Sequence, residues 1–285
     1  MSKEDNIPTL ESIGVTNAES SRLIIKISEK SISYVLQGDS CFVGNTIDIN
    51  TDGETLSCKA VEDALYGTPL PGNDFKSVSV IIESPHFLVV PGEVAESCDN
   101  GKLLEAAFGK LESEKTTIEC ESVPAADAAV VWCMDADIHN FMLRTFYNAT
   151  FTNAMTPVIM HGMKRALLAN TPRMLIVADS DMLKVVVANS NKLCAANMYC
   201  CTSIDNAVYY LMALWEECKL DQLTAEVLVA GTWDKRAQLE QTLREYIKIV
   251  LPELYSPALL KISRDTQQYP FDMMLKLINI IYANN

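Results

Sequence analysis

The sequence predicts an α/β protein built from two similar halves, with mixed sheets flanked by helices. Three observations carry that expectation. Residues 23–49 lie over residues 175–201 without a gap, hydrophobic position over hydrophobic position. The turns match as well, Ser28-Glu29 over Ser180-Asp181 and Gln37-Gly38-Asp39 over Asn189-Ser190-Asn191. After Pro124, short apolar runs alternate with stretches of helical period. The composition, 49% hydrophobic and 21% charged, supports a sizeable core. One supersecondary unit used twice explains the overlay, and the chance likeness of short hairpins competes with it.

In chain order, residues 1–20 read as a flexible lead-in. Strands follow at 23–27, 32–36 and 41–49, separated by polar turns. Residues 67–73 are a Pro/Gly-rich loop, and 78–83 and 87–90 are strands around Ser84-Pro85-His86. A short helix is predicted at 102–111 and strands at 116–121 and 129–134. Asp135-Ala136-Asp137 then opens a helix that sets Ile138, Phe141, Met142 and Phe146 on one face. A strand at 149–154 and a helix at 157–169 close the first half, 21–172, at Asn170-Thr171-Pro172.

The second half, 173–285, opens with strands at 174–178, 184–188 and 193–201. Its clearest helix spans 203–219, with Ile204, Ala207, Val208, Leu211, Met212 and Trp215 as one stripe and Thr202 or Ser203 as cap. A strand at 227–230, a turn at 231–234, a helix at 236–249, a strand at 259–262 and an amphipathic helix at 271–282 complete it.

A net charge of −14 and the absence of a Lys/Arg cluster argue against nucleic acid, and against direct binding to an anionic membrane. A basic protein partner is compatible with that charge. The polar N-terminus is not a secretory signal, and no apolar run reaches the ~18 residues of a membrane span. A cytosolic location is the expectation. Nine cysteines, several in apolar runs such as that of Cys133, read as reduced and buried thiols. Cys194, Cys200, Cys201 and Cys218 lack the paired knuckles of structural zinc.

A three-stranded meander, a helix, and then a strand, a glycine turn and a helix is the order of an actin-like half. The stretch LCAANMYCCTSIDNAVYYLMALWEECKL, followed by EVLVAGTWDKRAQLEQTLREYI, resembles a bacterial domain-of-unknown-function family assigned an actin-like ATPase (ribonuclease-H-like) fold. More distantly it is similar to the actin-like proteins of cell division and type IV pilus assembly. The resemblance covers most of residues 20–255 and is specific for fold rather than for function.

An active member of this fold carries Asp-x-Gly-Thr/Ser in the first hairpin turn of each half. The Asp acts on the magnesium shell or the attacking water, and the Gly lets main-chain N–H groups approach phosphate. On the overlay above, the first copy reads Ile27-Ser28-Glu29-Lys30 and the second Asp179-Ser180-Asp181-Met182. A carboxylate stands at the glycine position of both, which disfavours a triphosphate. No catalytic residue, metal site or obligatory cofactor is therefore expected. The first reading is a non-catalytic module that binds a protein.

The alternative is a switch closed by ATP and magnesium. It would use Ser28, Lys30, Asp179, Ser180, Asp181, Gly231 and Thr232. A phosphotransferase ranks last. Bland readings suit the remaining candidates. Gly231 exits a strand with Thr232 or Asp234 capping the next helix, and Asp135, Asp137 and His139 mark a helix cap. His86 and His161 lack a catalytic partner, and Tyr209, Tyr210 and Trp215 belong to the core.

Overall fold

The computed structural model describes residues 9–38, 42–49, 55–112, 114–169, 171–190, 192–254 and 263–283. The first eight residues of the lead-in, Asp39, Cys41, Asn170, Asn191 and the strand predicted at 259–262 lie outside the described residues. The chain divides into two compact units. One comprises Met1–His86, Gly101–Glu119 and Trp132–Asn153; the other comprises Phe87–Asn100, Cys120–Val131 and Ala154–Asn285.

In the first unit, a buried Val15 anchors the described part of the lead-in. The meander β1 (Arg22–Ile27), β2 (Ser31–Gln37) and β3 (Phe42–Asp48) follows. The helix α1 (Cys58–Tyr66), not among the elements predicted from the sequence, is capped by the Ser57 hydroxyl accepting from Ala60 N–H. It buries Val61 and Leu65, one helical turn apart. Further along, β4 (Ser77–Ile82), α4 (Ala136–Thr145) and β8 (Ala149–Asn153) also belong to this unit. Between them, β5 (Phe87–Pro91) and α2 (Gly92–Ser97) belong to the second, and α3 (Asn100–Phe108), β6 (Thr116–Val123) and β7 (Ala128–Asp135) have residues in both. The main sheet runs β3-β2-β1-β4-β8, and a three-stranded sheet runs β5-β7-β6. The β1–β2 pair is antiparallel, whereas β1–β4 and β4–β8 are parallel.

The C-terminal part of the second unit begins with α5 (Met155–Leu167), followed by β9 (Arg173–Asp179), β10 (Met182–Asn189) and β11 (Lys192–Cys200). Next come α6 (Ile204–Glu217), β12 (Glu226–Ala230), α7 (Arg236–Leu243), β13 (Ile249–Pro252) and α8 (Phe271–Ala283). Its sheet runs β11-β10-β9-β12-β13, the same order of meander and parallel strands as in the first unit. The α6 stripe forms with two changes. The Ser203 hydroxyl accepts from Asn206 N–H, and Ile204, Ala207, Leu211 and Trp215 are buried as predicted, but Leu214 joins them, and Val208 and Met212 are only half-buried. Each large side chain of that stripe contributes about 1.5–3 kcal/mol by leaving water. The helix expected over 236–249 stops at Leu243. Its tail turns, and Ile249–Pro252 pairs in parallel with β12. Helix α5 packs on β10 so closely that a Cβ on Gly162 would meet Val186 Cγ1 at 2.7 Å.

Pairing registers fix how the two meanders correspond. Ile27 faces Ile32 in the first, and Ala178 faces Leu183 in the second, so both partners differ by 151 residues. The gapless overlay of the sequences places them 152 apart. Gln37 facing Phe42 and Ala188 facing Leu193 keep the spacing of 151. A bulge between Val187 and Ala188 then leaves Cys194 as an extra residue in β11, and the remainder of that strand sits at 152. Ser28, not Ile27, therefore stands at the place of Asp179, and Lys30 stands opposite Asp181.

Candidate functional site

Of the predicted site residues, Ser28 and Lys30 lie in the first unit, and Asp179, Ser180, Asp181, Gly231 and Thr232 lie in the second. The turn after β1 closes on itself. Ser28 N–H and Oγ–H donate to Ser31 O at 3.0 and 2.9 Å, and Ser31 N–H donates back to Ser28 Oγ at 3.1 Å. Lys30 is exposed, and its carbonyl accepts Ile49 N–H at 2.7 Å.

The turn after β9 is tighter. Asp179 pairs directly with Met182, and Ser180 between them has φ of +53°, a conformation that a glycine would adopt without strain. Asp179 is only 4% exposed. Its Oδ1 accepts from both the backbone N–H of Thr232, at 3.0 Å, and the Thr232 hydroxyl, at 3.1 Å. Its Oδ2 lies 3.5 Å from Lys184 Nζ, and the same ammonium is 3.1 Å from Asp272 Oδ2 at the start of α8. Lys184 and Asp272 are fully buried. A buried ammonium between two carboxylates is the arrangement that makes burying any of the three tolerable.

Gly231 is required by close approach. It has φ of +108°, and a Cβ there would lie 1.9 Å from the carbonyl oxygen of Ala178. It thus does more than leave a strand. The expected caps are not found: α7 begins after Lys235 without a side-chain cap, and Thr232 turns to Asp179 instead. Beside this turn a cavity of about 380 Å³ is lined by Gly231, Thr232, Trp233, Arg236 and Gln267, among others.

The first unit has its own buried pair. Lys26 on β1 meets Glu83 just beyond β4 at 2.9 Å, both side chains largely out of solvent. Glu83 N–H donates to Ile27 O and Trp233 N–H to Ala178 O, both at 3.0 Å, so Glu83 stands where Trp233 does in the second unit. Sequence reasoning passed over Lys26, Glu83, Lys184 and Asp272. The lone lysines inside the apolar runs LIIKI and MLKVVV were the available signal, because a lysine in a buried strand needs a partner.

Other candidates sort as follows. Asp135 caps α4, its Oδ1 accepting Ile138 N–H at 2.9 Å, with Asp137 in the first turn, as expected. His139 lies 3.6 Å from Glu119. His161 Nε2 is 2.9 Å from Glu253 Oε1, which Arg165 also reaches at 3.2 Å. Trp215 is core, but Tyr209 is 69% exposed, and Tyr210 stacks on Tyr199 at the surface with centroids 4.8 Å apart. Those two tyrosines fall on the outer side of α6, beyond the buried stripe.

Among the described residues the buried-thiol reading holds for Cys133 and Cys201 only. Cys98, Cys120, Cys194 and Cys200 are exposed, and Cys58 and Cys218 are half-buried. Burial, then the neighbouring Cys200 and Asp181, pushes the Cys201 thiol up to about 11. Among the described residues no group of three or more His, Cys, Asp or Glu is placed to hold a metal ion. No helix there is long and apolar enough to cross a membrane.

The two sheets and their hairpin turns define a protein of the actin-like ATPase fold. Residues 11–250 match the family described as Protein of unknown function (DUF3822), and the chain belongs to that family. Among solved structures, a Bacteroides thetaiotaomicron protein with actin-like ATPase fold and unknown function aligns with a TM-score of 0.77 and 18% identity, over 92% of this chain and 96% of that one. A chain of the PilM–PilN type IV pilus biogenesis complex aligns with a TM-score of 0.52 and 9% identity, over 90% of this chain and 97% of that one. No curated protein matches the chain.

Proposed function

We propose that this chain is a non-catalytic member of the actin-like fold that works by binding another protein. The observation that carries this reading is the occupation of Asp179. Its carboxylate is committed to Thr232 and Lys184 within the second unit. In an active turn that carboxylate has to be available to a metal ion or a water. The glycine positions are filled as well, by Lys30 and Asp181, so side chains stand where a triphosphate needs bare main chain. Asp181 adds repulsion of about 4 kcal/mol per phosphate charge at ~4 Å and an effective dielectric near 20. The fold's use in a PilM–PilN protein complex agrees with an interaction role.

One observation favours a nucleotide-dependent switch as the second reading. Gly231 keeps its positive φ beside the 380 Å³ cavity, which leaves room for a small ligand at the end of β12. Melting of the full chain with and without millimolar ATP and magnesium separates the two. A ligand at 100 times its dissociation constant adds about 2.7 kcal/mol. No rise in melting temperature and no phosphate release are expected. A rise that disappears in Asp181→Ala supports the switch, and phosphate release above background overturns the non-catalytic reading. Asp181 is the residue to change because Asp179 holds structure together.

A further inference from the structure

The first unit contains a cavity of about 410 Å³ next to the turn after β1. Its apolar lining includes Ile27, Ile82, Met134 and Ile138, and its rim carries the exposed carboxylates of Glu29 and Asp135. The other charges at the opening are matched in pairs. Glu83 is bound to Lys26 at 2.9 Å, and Lys115 to Glu112 at 2.7 Å. Glu29, next to Lys30 in the turn, and Asp135, with Asp137 two residues on, leave the rim net acidic, with Lys115 also acting electrostatically on Asp135 and Asp137. The whole chain carries −14. His86, the remaining titratable group, sets its ring edge-on to Phe108 with centroids 5.1 Å apart.

A cavity of this size is at the small end of ligand pockets and takes one or two aliphatic side chains rather than a helix face. An acidic rim over an apolar floor selects a ligand that is cationic and apolar within a few ångströms, and it repels phosphates. We propose that this cavity is the docking site for a partner protein's short segment in which a Leu, Ile, Met or Phe anchor is flanked by Lys or Arg. The proposal rests on the protein-binding reading above and names the surface and the partner's chemistry.

The test is a selection from a random dodecapeptide phage library on the full-length chain, followed by affinity measurement with synthetic copies of the enriched peptides. Enriched sequences should combine a large apolar residue with Lys or Arg. Their affinity should fall about tenfold or more in Glu29→Lys, which reverses an exposed rim charge, and in Leu111→Trp, which fills the mouth from a partly exposed position. Unchanged melting temperatures in both variants exclude misfolding as the cause. Peptides insensitive to both variants reject this site while leaving a protein-binding role intact. Enrichment of acidic peptides, no enrichment, or binding of hexylamine without any peptide overturns the proposal. Turnover of ATP would overturn the underlying reading, whatever the peptides show.

Discussion

Thr232 closes on Asp179: its backbone N–H and its hydroxyl both reach Asp179 Oδ1, at 3.0 and 3.1 Å. The contact joins the ends of the neighbouring strands β9 and β12. With Lys184 and Asp272 it forms a buried polar knot that holds the N-terminus of α8 against the hairpin.

Removing only the hydroxyl, in Thr232→Val, leaves the N–H bond and should cost about 1 kcal/mol. Asp179→Ala removes both bonds and one of the two partners of Lys184. Its cost should be about 3–5 kcal/mol in urea unfolding. Equal losses from the two variants would show that Asp179 is not part of the knot.

Lys184→Met should cost about 3–5 kcal/mol, because two carboxylates then face each other out of water. Adding Asp272→Asn to that variant should recover part of the loss. A double variant less stable than Lys184→Met alone would contradict the assigned pairing.

Gly231→Ala should be among the most destabilising single changes in the second unit, by at least ~2 kcal/mol, since both the positive φ and the Ala178 carbonyl oppose a Cβ. Gly162→Ala has an ordinary φ and meets a valine methyl. It should cost about 1–3 kcal/mol. Thermal melts of the two variants give the order directly.

Alkylation with iodoacetamide at pH 8 should label Cys98, Cys120 and Cys194 well before Cys201. With a pKa of about 11, the Cys201 thiol is only about one part in a thousand thiolate at that pH, and it is buried besides. Peptide mass mapping over time shows the sequence of modification. Early labelling of Cys201 would mean that the α6 start opens readily.

Burial lowers the Lys276 pKa, with Glu121 acting weakly in the other direction. At neutral pH the ammonium is charged in both the folded and the unfolded chain, and the folded chain bears the desolvation penalty. The penalty fades as pH rises through the lowered folded value and is gone above the ordinary value of about 10.4. Lys276→Met should therefore raise the melting temperature at pH 7, and the gain should shrink as pH rises through the lowered folded value and vanish above the ordinary value of about 10.4. A gain independent of pH would assign the effect to packing alone.

The sequence by itself determined the α/β class, the order of most strands and helices, and the absence of glycine from the hairpin turns at 28–31 and 179–182. These follow from local chemistry: apolar period, turn residues, and the single side chain present or absent at a position. It also carried the α6 stripe and its Ser203 cap. The tertiary structure decided the register, and with it which residues correspond. β1 and β9 are buried along nearly their whole length, so almost every position is apolar and a one-residue slide leaves the pattern unchanged. Only the inter-strand hydrogen bonds distinguish 151 from 152, and they put Ser28 opposite Asp179. The same holds for Asp179 itself. Its partner Thr232 lies 53 residues further along the chain, and Asp272, which shares Lys184 with it, 93 residues further, and no local pattern encodes a contact made by packing at that distance.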